Sequence, residues 1–164
     1  MERNIDLLKQ TSIFDGLNDE EFNMVLGGCM EHVYPMGTII IRENDTPKRV
    51  LFIVKEGEIA VSSSATGLVE EGSSADSLIT TLGQGDIFGE VSLIDNDPHS
   101  ANIRAITDAT LLLLPESHFS KLAEEDKNIG YVVIRNIAKI LCHRLRDTNF
   151  SIRFGLSNFA GNDA

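Results

Sequence analysis

The chain has 164 residues, which is enough for one domain with an ordinary core and short for two. Its content of 42% hydrophobic and 24% charged residues is typical of a globular protein and excludes wholesale disorder and fibrous repeats. With 14 Lys and Arg against 25 Asp and Glu, the formal net charge is -11, so the chain repels nucleic-acid backbones and we expect no DNA binding.

The two cysteines and the first residues indicate where the chain works. Cys29 and Cys142 lie far apart and outside any C-x-x-C spacing, so neither a zinc site nor a disulfide framework is predicted. A reducing, cytoplasmic setting fits this pattern best. The first six residues lack the apolar core of a signal peptide, and no run approaches about 18 apolar residues, so we predict no membrane association.

Residues 1–30 have helical patterns. Apolar spacing predicts a short helix near residues 5–8, and Asp15-Gly16 supplies a turn. Asn18 stands three residues before Glu21, which is the capping-box spacing, and apolar residues then follow at i, i+3 and i+4. A helix is therefore predicted to begin after Asn18 and to end at Gly27-Gly28.

From residue 31 to residue 114 short β-type runs alternate with Gly, Pro, Asn and Asp, a spacing typical of an antiparallel sandwich or barrel. Leu111–Leu114 is apolar throughout and should be buried on both faces. Residues 64–77 lack periodicity and are predicted to be a weakly ordered hairpin loop without function. The predicted strands are Glu31–Tyr34, Thr38–Ile41, Val50–Lys55, Gly57–Ser63, Leu78–Leu82, Asn102–Ala105 and Ala109–Leu114.

Residues 115–154 are predicted to be helical again. Apolar residues recur at three- and four-residue steps from Tyr131 to Ile152, over some six turns. A helix of this length cannot bury its whole apolar face on a small sandwich, so we expect a homodimer through residues 131–152. The alternative is that the helix packs only on its own domain. Residues 155–164 are rich in Gly and Asn and are predicted to be a frayed tail.

The segment Gly89-Glu90-Val91-Ser92-Leu93, followed by Pro98-His99-Ser100-Ala101, has the pattern of a phosphate-binding cassette. Phe88-Gly89 would let backbone N–H groups approach a ligand without a Cβ in the way. A short helix from Glu90 to Leu93 would point its first N–H groups at an anion. The segment resembles the cassette of the cyclic-nucleotide-binding domain family, which reads Gly-Glu-aliphatic-small-Leu, a spacer, then Arg-Ser/Thr-Ala.

The resemblance extends over Ile13 to Ile152. Pro35–Ile40 with Arg42–Asp45 resembles a turn of the family, with Asn44 in place of its glycine, and Phe52–Ile59 resembles its glycine-terminated hairpin. Asn is the commonest residue other than glycine at positive φ. The resemblance implies an α+β fold that is mainly β. An antiparallel β-roll (jelly roll, double-stranded β-helix) would lie between N-terminal helices and a long C-terminal helix, in one domain spanning residues 1–164.

The resemblance also implies a ligand, cyclic AMP or cyclic GMP, with no other cofactor. Glu90 would accept a hydrogen bond from the ribose hydroxyl, and Ser100 would donate one to the phosphate. Thr148 and Asn149 match the small polar residues that contact adenine in bacterial members, although both could simply lie on the solvated side of the helix. The implied ligand-binding residues are Phe88, Gly89, Glu90, Val91, Ser92, His99, Ser100, Ala101, Thr148 and Asn149.

His99 stands where the family has the arginine that holds the cyclic phosphate. A guanidinium offers two parallel charged donors, whereas imidazole offers one in line and is mostly neutral at pH 7. Losing a charge-assisted bond costs about 1.5–3 kcal/mol.

Two hypotheses about function follow from the histidine at this position. In the first, the chain is a sensor with weak or altered binding, helped at acid pH by a protonated His99. In the second, it is a ligand-free scaffold for dimerisation or partner docking, with His99 solvated in a vacant pocket.

Other classes of protein fit the sequence less well. A metal-dependent enzyme of the cupin type needs a His-x-His pair, and the four histidines stand alone; no catalytic or metal-ligating set is predicted. Gly83-Gln84-Gly85 is too short a signal for a dinucleotide fold. A transcription factor would need a helix-turn-helix, and only twelve residues follow Ile152. We therefore expect a stand-alone regulatory module that acts through an unknown effector protein.

Overall fold

The computed structural model describes residues 2–63, 77–95 and 97–160. The weakly ordered loop predicted for residues 64–77 lies outside the described residues except for Ser77, which begins a strand.

The N-terminal part contains α1 (Glu2–Gln10), a 3-10 turn (Ser12–Phe14) and α2 (Asp19–Gly27). The predicted capping box of α2 is confirmed: Asn18 Oδ1 accepts a hydrogen bond from the Glu21 backbone N–H at 3.0 Å, and Glu21 Oε2 accepts one from the Asn18 N–H at 2.7 Å. The helix ends at Gly27, as predicted, with Gly28 as its C-cap.

Among the residues that the structure describes, eight antiparallel strands form two four-stranded sheets, in the orders β1-β8-β3-β6 and β2-β7-β4-β5. The mainly β fold with flanking helices is thereby confirmed. The strands are β1 (Met30–Tyr34), β2 (Ile39–Ile41), β3 (Val50–Glu56), β4 (Ile59–Ser63), β5 (Ser77–Leu82), β6 (Ile87–Phe88), β7 (Asn102–Ala105) and β8 (Ala109–Pro115).

Several predicted strand boundaries are shifted, and one strand was missed. Strands β1 and β5 begin one residue earlier than predicted, at Met30 and Ser77, and β3 and β8 end one residue later, at Glu56 and Pro115. Strand β2 begins at Ile39 because Thr38 belongs to a turn, its N–H donating to Pro35 O at 3.1 Å. Strand β4 begins at Ile59, after Gly57 turns the chain at a φ of 88°. The two-residue strand β6 was not predicted, since two residues cannot show an alternating pattern.

The core has two parts. One lies between the helices and the first sheet, and the other lies between the two sheets. Strand β8 contributes to both, because its successive side chains point to opposite faces. Leu111, Leu112 and Leu114 are at most 1% exposed, which confirms the predicted burial of this strand on both faces.

The remaining helices are α3 (Glu90–Ile94), α4 (Glu116–Glu125) and α5 (Lys127–Ala160). Helix α5 extends beyond the predicted stretch of 131–152 at both ends. At its start Asp126 Oδ1 accepts from the Asn128 N–H at 2.8 Å. At its end residues 155–160 are helical, so the predicted tail was wrong there. Extending an existing helix by one residue needs little free energy, because nucleation has already occurred. One Gly in the helix reduces its stability by only about 1 kcal/mol relative to Ala.

The first half of α5 is built into the core. Ile129, Val133 and Ile137 are fully buried. Buried Asn136 donates through Nδ2 to the backbone oxygens of Ile13 at 3.1 Å and Asp15 at 2.9 Å. After Leu141 the helix leaves the core, and all side chains of residues 142–150 are exposed.

Candidate functional site

A cavity of about 820 Å³ lies against the inner side of the second sheet, next to α3 and the loop before β7, and α5 covers it. Nine of the ten predicted ligand-binding residues line it: Phe88, Gly89, Glu90, Val91, Ser92, His99, Ser100, Ala101 and Thr148. Asn149 is exposed and does not belong to the wall. The structure therefore brings the cassette and one turn of α5 together around a single space.

Gly89 sets the direction of α3. It caps this helix with a φ of 81°, and a Cβ there would lie 2.5 Å from Val50 O in strand β3. Only glycine combines this conformation with so close a backbone approach. Ser92 Oγ donates back to Gly89 O at 3.1 Å, and the Phe88 ring stacks on Phe52 with centroids 4.7 Å apart. The short helix predicted at Glu90–Leu93 is confirmed and has a rigid base.

Glu90, the first residue of α3, is only 2% exposed. A carboxylate this buried requires a compensating partner. The partner is Arg144 in α5, whose Nη1 donates to Glu90 Oε1. This ion pair connects the roll to the second half of α5.

Arg144 was not predicted as a site residue. A signal was present, since Arg144 precedes Thr148 by one helical turn and therefore shares its face. Thr148 Oγ1 donates to the Arg144 backbone oxygen at 2.9 Å, so its hydroxyl proton is engaged within the helix. The fold alone reveals which carboxylate Arg144 meets, because 54 residues separate the two.

His99 is 8% exposed, so it is not the solvated loop histidine of the second hypothesis. Its Nε2 accepts a hydrogen bond from the Lys48 backbone N–H at 3.0 Å, and its backbone oxygen accepts one from the Asn44 N–H at 2.8 Å. Asn44 has the positive φ, 66°, expected of a residue in the family's glycine position.

The environment of His99 favours a neutral ring. Burial lowers the pKa of the imidazole, the Lys48 ammonium lowers it further, and Asp45 opposes both. Protonation would also place a proton on Nε2 and break its bond with the Lys48 N–H. These contacts argue against the imidazolium that the sequence suggested for ligand binding at acid pH.

The other charged residues of the wall are acidic. Asp95 and Asp97, which follow α3, are exposed and line the cavity together with Asp147 of α5. Apolar side chains of the second sheet form the opposite side: Ile41, Val61, Ile79, Leu82 and Ile103. The lining thus combines apolar side chains with polar ones that include Glu90 and Ser100.

In the part of the chain that the structure describes, no group of three or more His, Cys, Asp and Glu side chains is placed to hold a metal ion. Within the same residues, no helix combines the length and hydropathy that crossing a bilayer requires.

An antiparallel roll with a cavity between a glycine-capped helix and a covering C-terminal helix is the architecture that the sequence resemblance predicts. The family model described as the cyclic nucleotide-binding domain matches residues 31–126, more than half of the chain. The chain therefore belongs to the cyclic nucleotide-binding domain family.

Several known proteins are similar to this chain. The cyclic AMP receptor protein of Thermus thermophilus is 28% identical over 145 residues, which cover 88% of the chain and 62% of that protein. The cAMP-dependent protein kinase regulatory subunit of Debaryomyces hansenii is 27% identical over 71% of the chain and 24% of its own length. The crystal structure of the Thermus thermophilus catabolite activator protein has a TM-score of 0.75 at 27% identity, covering 87% of this chain and 62% of that one. The chain thus spans less than two thirds of these relatives.

Proposed function

We propose that the protein reversibly binds a cyclic nucleotide, cyclic AMP or cyclic GMP, and that this binding regulates an effector protein. The observation that carries the proposal is the cavity of about 820 Å³ with the buried Glu90 carboxylate in its lining. A carboxylate has about four lone-pair sites, so Glu90 can bind Arg144 through Oε1 and accept a ribose hydroxyl through Oε2. Family membership supports a regulatory role rather than a catalytic one.

Binding should be weaker than in members that keep the cassette arginine. Neutral His99 gives at most one uncharged donor, which lowers affinity roughly ten- to 150-fold. The exposed carboxylates of Asp95 and Asp97 on the same wall disfavour an anion further.

Calorimetric titration with cyclic AMP and with cyclic GMP at pH 7.5 and pH 5.5 tests the proposal. We expect measurable binding of at least one nucleotide at pH 7.5, in the micromolar to millimolar range. No heat of binding at either pH with millimolar ligand would refute the proposal.

The second candidate function is a ligand-free scaffold that keeps the roll for partner docking. It is favoured by the absent arginine and by the bond that engages His99 with the Lys48 N–H. The variant His99→Arg distinguishes the candidates, because a working pocket should gain affinity for the nucleotide while a degenerate one should gain none. His32→Arg, on exposed strand β1, is the matched control.

We also propose that the protein forms a homodimer through α5. Tyr131, Ile134 and Leu145 are 63%, 43% and 61% exposed, although they lie on the helix at apolar, heptad-like spacing. Sedimentation should show a monomer–dimer equilibrium that Leu145→Lys shifts to monomer, whereas Lys139→Ala leaves it in place. A monomer mass at all concentrations would contradict the proposal.

The cytoplasmic location and the identity of the effector protein stay predictions.

A further inference from the structure

The charged groups on the cavity wall are unevenly distributed. Among the described residues that line the cavity, four are carboxylates, Glu90, Asp95, Asp97 and Asp147, and one is a permanent cation, Arg144. His99 accepts a hydrogen bond through Nε2 in a buried position. A ligand with a negative charge therefore has one cationic side chain on this wall to meet, and that side chain belongs to α5.

We propose that Arg144 replaces the missing cassette arginine and binds the phosphate of the ligand. This inference rests on the proposed function and adds to it which residue holds the anionic group. A guanidinium has five N–H donors in a fixed fork. Since Nη1 contacts Glu90, the remaining donors allow Arg144 to bind Glu90 and a phosphate oxygen together. Its side chain is 49% exposed, so a ligand can reach it.

The location of this cation has a regulatory consequence. An arginine at the position of His99 would belong to the roll, in the loop before β7. Arg144 lies in the second half of α5, where the side chains have left the core. Phosphate binding and the docking of this half of α5 on the roll are then one event, and each strengthens the other.

Arg144 also compensates the charge of buried Glu90, and the two roles need separate tests. Arg144→Gln removes both the compensation of Glu90 and the proposed phosphate contact. Arg146→Gln is the matched control, because Arg146 is exposed on the same helix and lies outside the cavity wall. The pair Glu90→Gln and Glu90→Gln/Arg144→Gln isolates the phosphate contact, since no buried carboxylate is then left to compensate.

The experiment is a ligand-observed NMR titration of these variants with cyclic AMP up to millimolar concentration. We expect Arg144→Gln to lose about ten- to 150-fold in affinity, the cost of one charge-assisted contact, and Arg146→Gln to stay within about twofold of the parent. The double variant should lose at least about tenfold relative to Glu90→Gln alone.

Equal affinities of the double variant and Glu90→Gln would overturn the inference, because Arg144 would then act only by compensating Glu90. The proposed function would survive that result. Absence of binding by the parent protein would instead refute the proposed function itself, so the two failures are distinguishable. Thermal unfolding of each variant without ligand identifies losses that come from folding.

Discussion

The two halves of α5 differ in what holds them to the rest of the chain. In the first half, Ile129, Val133 and Ile137 are fully buried and Asn136 is hydrogen-bonded to the 3-10 turn. In the second half, the side chains of residues 142–150 are exposed, and Arg144 makes a polar contact with Glu90 of the roll. Apolar burial is worth much more than an ion pair with one exposed partner.

This difference assigns the halves separate tasks. The first half fixes the direction of the helix as part of the fold. The second half covers the cavity, and under the proposed function a bound nucleotide strengthens its contacts with the roll. A ligand shifts a conformational equilibrium only by binding one state better, and Arg144 and Thr148 would give the nucleotide such a preference for the docked second half.

The sharpest test of this division is a comparison of Ile137→Ala with Leu145→Ala. Ile137 is fully buried, so its truncation should lower the free energy of unfolding by about 2–5 kcal/mol. Leu145 is 61% exposed, and its truncation should change the free energy by less than about 0.5 kcal/mol. Urea unfolding of both variants measures this, under dilute conditions that exclude dimerisation. Similar losses of unfolding free energy in Ile137→Ala and Leu145→Ala would contradict the distinction between the two halves of α5.

A smaller effect is expected from Asn136→Ala. The substitution leaves the buried backbone oxygen of Ile13 and the partly buried oxygen of Asp15 without their side-chain donor, which should cost about 1–3 kcal/mol. Asn149→Ala, at an exposed position in the second half, is the matched control and should be close to neutral. If Asn136→Ala unfolds at the same urea concentration as the control, Asn136 does not fix the first half.

The smallest effect concerns the roll beside the second half and depends on pH. Burial and Lys48 lower the pKa of folded His99 below its value of about 6.5 in an unfolded chain. As the pH falls below about 6.5, the unfolded state therefore binds more protons, and the contribution of His99 to stability is lost. His99→Gln keeps an acceptor for the Lys48 N–H without titrating.

Unfolding by urea at pH 7 and pH 5 measures this effect. The parent protein should lose more stability on acidification than His99→Gln, and the remaining histidines are common to both. Parallel pH dependence of the two proteins would show that His99 does not titrate in this window.

Much of this arrangement is predictable from local sequence. The capping box of α2 and the helix after Gly89 depend on residues within one turn of each other, and both were predicted. The burial of β8 followed from a continuous apolar run. The cassette residues were predicted from a motif, and the structure places nine of the ten predicted site residues on one cavity wall.

The contacts that the sequence did not predict join residues that are far apart along the chain. The Lys48 N–H that engages His99 is 51 residues away, and Arg144 is 54 residues from Glu90. No sequence periodicity indicates such pairs, so the sequence left open whether His99 is solvated or lies in the site, and it did not identify Arg144. Asn149 was chosen by residue type, whereas the direction in which α5 crosses the roll decides that Thr148 lines the cavity and Asn149 does not.

Hydrogen exchange with and without saturating cyclic AMP tests the central claim most directly, since it reports on both halves of α5 at once. A ligand bound between the roll and the covering turn of α5 should increase the protection of amides in residues 142–150. The amides of residues 129–141, already fixed by the core, should not change. Unaltered protection in both halves, or an increase confined to the first half, would contradict the claim that the cavity binds a nucleotide under the second half of α5.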